Sequence, residues 1–273
     1  MSRIQSRFAE LEAANRAAFI PFVTAGDPDA DTTLALLEKL PGAGADLIEL
    51  GVPFSDPMAD GPAIQASSLR ALEAGMNMKG VLDLVRRFRK TDTRTPLILM
   101  GYYNPIHAYG AARFAKDAGD AGVDGLITVD LPPEEDEVLR PHANAHNIDI
   151  VRLATPTTDN VRLRTVLDGA GGFLYYVSIA GITGTKSFSE NDVRDAVARL
   201  KSSGTLPVAV GFGIKTPEQA AGIARFADGA VVGSAIVDRI AQNSSKGVSR
   251  ETLVADVLDF CDLLARSIHT ART

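Results

Sequence analysis

Eight short apolar runs, most of them hydrophobic at nearly every position, alternate along this chain with longer amphipathic stretches. The runs are Phe19–Thr24, Asp46–Gly51, Leu97–Gly101, Gly125–Val129, Asp149–Leu153, Phe173–Val177, Val208–Gly211 and Gly229–Gly233. A strand with one wet face alternates apolar and polar residues. A strand that is apolar throughout is buried on both faces, as in a parallel sheet covered by helices. Most successive runs begin roughly 20–35 residues apart, the length that a strand, a helix and a return require. The one long interval, Gly51 to Leu97, holds a Pro/Asp/Gly-rich loop and two helical patterns, Pro62–Ala74 and Lys79–Lys90. Eight such units predict an α/β fold, a (β/α)8 TIM barrel forming a single domain over residues 1–273, with an extra N-terminal helix and extra helices after strands 2 and 8. An open doubly wound sheet is the rival, and strand count alone does not exclude it.

Helix start signals support the alternation. Thr216-Pro217-Glu218-Gln219 combines an N-cap, a first-turn proline and a glutamine placed to close a capping box. Pro132-Pro133-Glu134-Glu135 puts prolines and acids where a helix begins. Ile4, Phe8 and Leu11 recur with helical spacing near the N-terminus, and Ser249–Ile268 reads as a long amphipathic helix. The 273 residues carry 28 basic and 34 acidic side chains, a net charge of −6, which leaves no electrostatic footprint for nucleic acid or an anionic membrane. The single cysteine, Cys261, excludes an internal disulfide framework. With no long apolar run and no apolar signal core, the expected setting is cytoplasmic.

In such a barrel, chemistry belongs at the C-terminal ends of the strands. Glu49 sits inside an apolar run, where burial raises a carboxyl pKa into the range of a general acid/base; a structural carboxylate paired with a cation is the equal alternative. Asp60 follows in the same loop, so two carboxylates in different environments can face one cavity, although Asp-Pro and Asp-Gly are also ordinary turn chemistry. Phe54, flanked by prolines in that loop, suggests a contact surface. Gly213 and Gly233 end the seventh and eighth runs, and Ser234 adds a hydroxyl and a helix-start N–H, a pattern suited to a phosphate. The loop Ser178–Ser187, rich in glycine and small polar residues, suits a lid. Tyr175 and Tyr176 are adjacent, so one faces the barrel interior and the other the helices.

The strand cores contain no lysine, which disfavours a Schiff-base aldolase. His142 and His146 lack the zinc-protease motif and read as solvated helix residues. Neither the dinucleotide fingerprint nor a P-loop is present. The inventory points to cofactor-independent acid/base chemistry on a small phosphorylated molecule.

Five segments in order, Leu47–Gln65 (LIELGVPFSDPMADGPAIQ), Met100–Pro105 (MGYYNP), Tyr175–Gly184 (YYVSIAGITG), Val210–Ile214 (VGFGI) and Gly229–Val237 (GAVVGSAIV), resemble the tryptophan synthase alpha subunit family. The resemblance implies retro-aldol cleavage of indole-3-glycerol phosphate to indole and glyceraldehyde 3-phosphate. It implies no cofactor in this chain, and a beta subunit carrying pyridoxal phosphate (PLP) in an alpha2beta2 tetramer. By motif, Glu49 would shuttle the proton and Asp60 would hold the indole N–H. Phe22, Ile64, Met100 and Ile127 would wall the indole pocket. Tyr175 would contact the glycerol, and Thr183 would belong to the lid. Gly184, Phe212, Gly213, Gly233 and Ser234 would surround the phosphate. Pro53, Asp56, Pro57, Asn104, Asp130 and Pro132 would face the partner, with Val129 standing where the family's PDLP segment has its first proline. A stand-alone lyase releasing indole, another phosphate-binding barrel enzyme and a non-catalytic regulatory barrel are the competing readings.

Overall fold

The computed structural model describes residues 2–178, 190–211 and 213–272. Its strands are β1 (Ala18–Thr24), β2 (Ile48–Gly51), β3 (Leu97–Gly101), β4 (Gly125–Thr128), β5 (Asp149–Ile150), β6 (Arg152–Ala154), β7 (Leu174–Val177), β8 (Val208–Gly211) and β9 (Gly229–Val232). All pairings are parallel, in the order β5-β4-β3-β2-β1-β9-β8-β7-β6. The fifth apolar run was expected as one strand; it is two short ones on either side of Val151. Asp149 and Ile150 pair with β4, whereas Arg152–Ala154 pair with β7, so this stretch hands over from one neighbour to the other. The Val151 N–H still donates to the Leu126 carbonyl (3.0 Å). The two ends of the sheet therefore meet on consecutive residues, and the barrel closes at its eighth strand position.

Side-chain alternation separates an inner from an outer layer. Ile20, Leu47, Ile98, Ile127, Val151, Phe173, Tyr175, Ala209 and Val231 pack with one another inside the barrel. Ile48, Leu50, Leu97 and Leu99 belong instead to the layer between sheet and helices. Tyr175 and Tyr176 divide as expected, since Tyr176 packs with Val193, Val197 and Leu200 outside the barrel. The helices Pro62–Glu73 and Met78–Phe88 fill the interval between β2 and β3, and Ser234–Ser245 and Arg250–His269 follow the last strand.

Three local expectations are corrected. The helix Tyr103–Tyr109 after β3 was not foreseen; it is split from Ala111–Ala121 by Gly110 at φ +92°, a conformation that glycine tolerates. The proline-acid segment forms a 3-10 helix, Pro133–Val138, before the short helix Arg140–Ala145, which leaves His146 at its C-terminal end. At Thr216 the cap forms, but the Gln219 side chain accepts from the Lys215 N–H (2.8 Å) rather than closing a box on Thr216.

The N-terminal helix Arg3–Ala13 plugs the N-terminal end of the barrel. Ile4, Phe8 and Leu11 join the interior cluster, and the Phe8 ring lies 5.6 Å from that of Phe173. Arg3 reaches Asp124 (2.7 Å) and Arg7 reaches Asp46 (2.5 Å), while Asp46 also accepts the Phe19 N–H (2.7 Å). Among the described residues no helix is long and apolar enough to cross a membrane. Phe8→Ala is expected to destabilise the chain by about 3–5 kcal/mol through lost burial and a residual cavity. Urea unfolding checks this, and a change below about 1 kcal/mol would mean the helix is not part of the core.

Candidate active site

Glu49 occupies the inward face of β2, because Leu47 two residues earlier points into the barrel while Ile48 and Leu50 point out. Its residue is 0% exposed, and neither carboxyl oxygen has a hydrogen-bond partner among the described residues. Burial alone pushes its pKa up to about 8. The other buried carboxylates among the described residues are paired. Asp27 is held bidentately by Arg70 (2.7 and 2.8 Å), Asp46 by Arg7 and His269, Asp124 by Arg3 and Arg89, and Asp136 by Arg140 and Arg152. Among the described residues no cation pairs with Glu49, as the paired structural carboxylate of the second sequence reading would require. Glu49 is stored as a neutral acid.

Asp60 lies across the mouth, in the loop between β2 and the helix Pro62–Glu73. The helix is tied to the end of β1 by the Arg70–Asp27 pair and by a Thr24–Ser67 hydroxyl contact (2.6 Å). Gln65 donates from its amide to the Asp60 carbonyl (2.9 Å), and the Asp60 N–H donates to the Pro57 carbonyl (3.0 Å). The Tyr102 hydroxyl, from the end of β3, accepts the Ala59 N–H (2.9 Å) and hydrogen-bonds the Asp60 carboxylate. Desolvation raises the Asp60 pKa to about 6, against the Tyr102 bond, which lowers it. Near neutral pH the site thus holds one protonated carboxyl and one carboxylate.

Both face a cavity of about 690 Å³ at the C-terminal mouth of the barrel. Phe22, Ile64, Met100 and Tyr175 line it with Glu49 and Asp60, and Gly213, Gly233 and Ser234 line it as well. Ile127 does not. It is fully buried in the barrel interior, although it is registered with Met100, because a hydrogen-bonded row descends through the barrel as it crosses tilted strands. Thr183, Gly184 and Phe212 lie outside the described residues, as does most of the loop read as a lid. Burial drives the Tyr175 phenol well above its ordinary pKa, aided by the fields of Glu49 and Asp60, so it stays a hydrogen-bond donor. A Cβ at Gly211 would collide with the Tyr175 hydroxyl, so the absent side chain there makes room for the ring. Gly233 is the N-cap of the helix Ser234–Ser245 and provides no side-chain cap, which leaves first-turn N–H groups to meet an anion. Gly213 stands at φ +83°. No group of three or more His, Cys, Asp or Glu among the described residues is arranged to hold a metal ion.

A family model described as tryptophan synthase alpha chain matches residues 8–267. The chain belongs to the tryptophan synthase alpha chain family. Its fold is similar to the tryptophan synthase subunit alpha of Legionella pneumophila str. Paris, at 40% identity over 98% of both chains with a TM-score of 0.91. It is also similar to tryptophan synthase from M. tuberculosis in an aminoacrylate-bound form, at 32% identity over 98% of this chain and 100% of that one, TM-score 0.87.

The residues expected to face a partner follow β2, β3 and β4. Asp56, Asn104, Asp130 and Pro132 are exposed there and Pro57 is partly so, but Pro53 is buried within the chain. Asp130 also accepts the Tyr103 N–H (2.8 Å), so it shapes its own loop. Phe54 is half-buried, stacked 5.3 Å from Tyr102, and the exposed apolar residue of this loop is Met58, at 74%. Sequence reasoning missed Met58, Tyr102, Lys215 and Asp238, of which the last two line the cavity.

Glu49 also makes a stability prediction. Its pKa is raised from 4.5 in the unfolded chain to about 8 in the folded one. Between those values the unfolded chain ionises while the folded chain keeps its proton, so stability falls as pH rises, by about 1.4 kcal/mol per pH unit. Glu49→Gln removes that slope. Its stability relative to the parent chain is expected to improve by about 3–4 kcal/mol between pH 5 and pH 8, and urea unfolding at the two pH values decides it. An unchanged difference between the two chains would place an ionised Glu49 in the fold.

Proposed function

We propose that this chain cleaves indole-3-glycerol phosphate into indole and glyceraldehyde 3-phosphate, the lyase reaction of its family. The observation that carries the reading is the buried Glu49 carboxyl, without a partner among the described residues, sharing a cavity with Asp60. The bond to be broken joins indole C3 to a hydroxyl-bearing carbon. Glu49, protonated near neutral pH, gives its proton to indole C3 and leaves a cation spread over C2 and the ring nitrogen. Asp60, as a carboxylate, accepts the indole N–H and stabilises that charge. The C3–carbon bond then breaks; its electrons restore the aromatic ring, and the hydroxyl loses its proton to the Glu49 carboxylate, forming the aldehyde. One proton leaves Glu49 and one returns, so the group ends as it began. The electron sink is the protonated indole itself, and the reading asks no cofactor of this chain.

Phe22, Ile64 and Met100 are apolar surface for the indole ring, and the Tyr175 hydroxyl is a donor toward the glycerol. The first turn of Ser234–Ser245, with Gly213, takes the phosphate and supplies binding energy remote from the reacting bond. By motif, Gly184 and Phe212 are assigned to the phosphate and Thr183 to the lid. Released indole passes to a PLP-bearing beta subunit, which docks on the face carrying Asp56, Pro57, Met58, Asn104, Asp130 and Pro132 in an alpha2beta2 assembly. The reading carries a cytoplasmic setting and one domain over the whole chain.

Indole formation by the purified chain, alone and with a PLP-containing beta subunit, tests this. Glu49→Gln is expected to lose roughly 10²–10⁴-fold in turnover while still binding glycerol phosphate. The pH dependence of kcat/KM for the parent chain should be a bell, rising through about 6 as Asp60 ionises and falling through about 8 as Glu49 does. Activity that survives in Glu49→Gln would remove the proposed chemistry.

A further inference from the structure

The charges around the cavity do not balance for an anionic ligand. With Glu49 neutral near pH 7, the carboxylates that line it are Asp60 and Asp238, and among the described lining residues the basic one is Lys215. A phosphate ester entering this mouth meets two carboxylates that repel it, and the neutral N–H groups of a helix terminus supply only partial positive charge in return.

Lys215 stands two residues beyond Gly213, on the loop that follows β8, next to the phosphate end of the cavity. Its backbone is pinned. The Lys215 N–H donates to the Gln219 side chain (2.8 Å), and Thr216 caps the helix Pro217–Ala224 by accepting the Gln219 N–H (3.3 Å). The departure from the capping box noted above is thus what anchors the turn bearing this lysine. Its ammonium makes no ion pair among the described residues. Asp238, which also lines the cavity, acts on Arg70, whose pKa it helps raise. Arg70 is itself committed to Asp27.

We propose that Lys215 is a specificity-determining residue that supplies the cation for the substrate phosphate, selecting the phosphorylated glycerol over its neutral counterpart. This rests on the function proposed above for the ligand's identity, but the residue's role is that of a phosphomonoester partner and is testable without turnover. A lysine ammonium is a flexible point charge, so the contact adds affinity without fixing the geometry of the reacting bond. At the exposed rim it is also open to screening by salt.

The test is calorimetric titration of the full chain with D-glycerol 3-phosphate, for the parent, Lys215→Ala and Lys215→Arg, at about 0.05 M and about 0.3 M salt. The alanine variant is expected to bind roughly three- to tenfold more weakly at low salt, with a flatter salt dependence, and arginine to restore most of the loss. In steady-state indole formation, KM for indole-3-glycerol phosphate should rise by a similar factor, with kcat within about twofold of the parent. Equal affinity and equal salt response in parent and alanine variant would overturn the proposal, as would a loss confined to kcat. If glycerol phosphate binding depends on Lys215 but the parent chain releases no indole, the functional reading fails and the lysine's role stands. If indole forms and Lys215→Ala changes nothing, the reverse holds.

Discussion

An arginine would neutralise the Glu49 carboxyl, and among the described residues this fold brings none to it. Each of the other buried acids that the structure describes has a cation or a set of hydrogen bonds, so the fold is capable of pairing carboxylates and leaves this one alone. The result is a group that keeps its proton until about pH 8 and stands ready to give it to carbon. The cavity wall is arranged around that buried group. The apolar inward faces of β1 and β3 flank it, Tyr175 crosses the space left by Gly211, and the Tyr102 hydroxyl partly offsets the desolvation that raises the Asp60 pKa.

The two ends of the barrel divide the labour. At the N-terminal end, the helix Arg3–Ala13 fills the opening with Ile4, Phe8 and Leu11, and Arg3 and Arg7 clamp it to Asp124 and Asp46. There the charges are paired and structural. At the C-terminal end, among the described residues, the Glu49 carboxyl has no partner and the first turn of Ser234–Ser245 has no side-chain cap. Paired charge fixes the scaffold at one end, and polar groups without a protein partner face the cavity at the other.

Much of this was readable in the residues. Near-continuous apolar runs marked strand positions to within a residue or two, since burial on both faces leaves little room for polar side chains. Glu49 stood out because a carboxyl in such a run has few physical explanations. Depth within the barrel was not readable. A period of two says that Ile127 points inward, but only strand tilt says that it lies below the cavity that Met100 reaches. Tyr102 escaped notice because its partner is brought to it by the loop after a different strand. Lys215 and Asp238 look like ordinary surface charges until the loop after β8 and the helix after β9 are seen to share one wall. The split at Val151 was hidden for the same reason, as pairing with two neighbours leaves no mark on composition.

The central claim is that Glu49 is a neutral acid in the resting protein. A direct check is to follow the Glu49 carboxyl carbon by ¹³C NMR across a pH titration of the ligand-free chain, assigned by comparison with Glu49→Gln. The account predicts a midpoint near 8. A midpoint near the ordinary 4.5 would mean that water or a cation reaches the group, and that a carboxylate rather than an acid waits in the barrel.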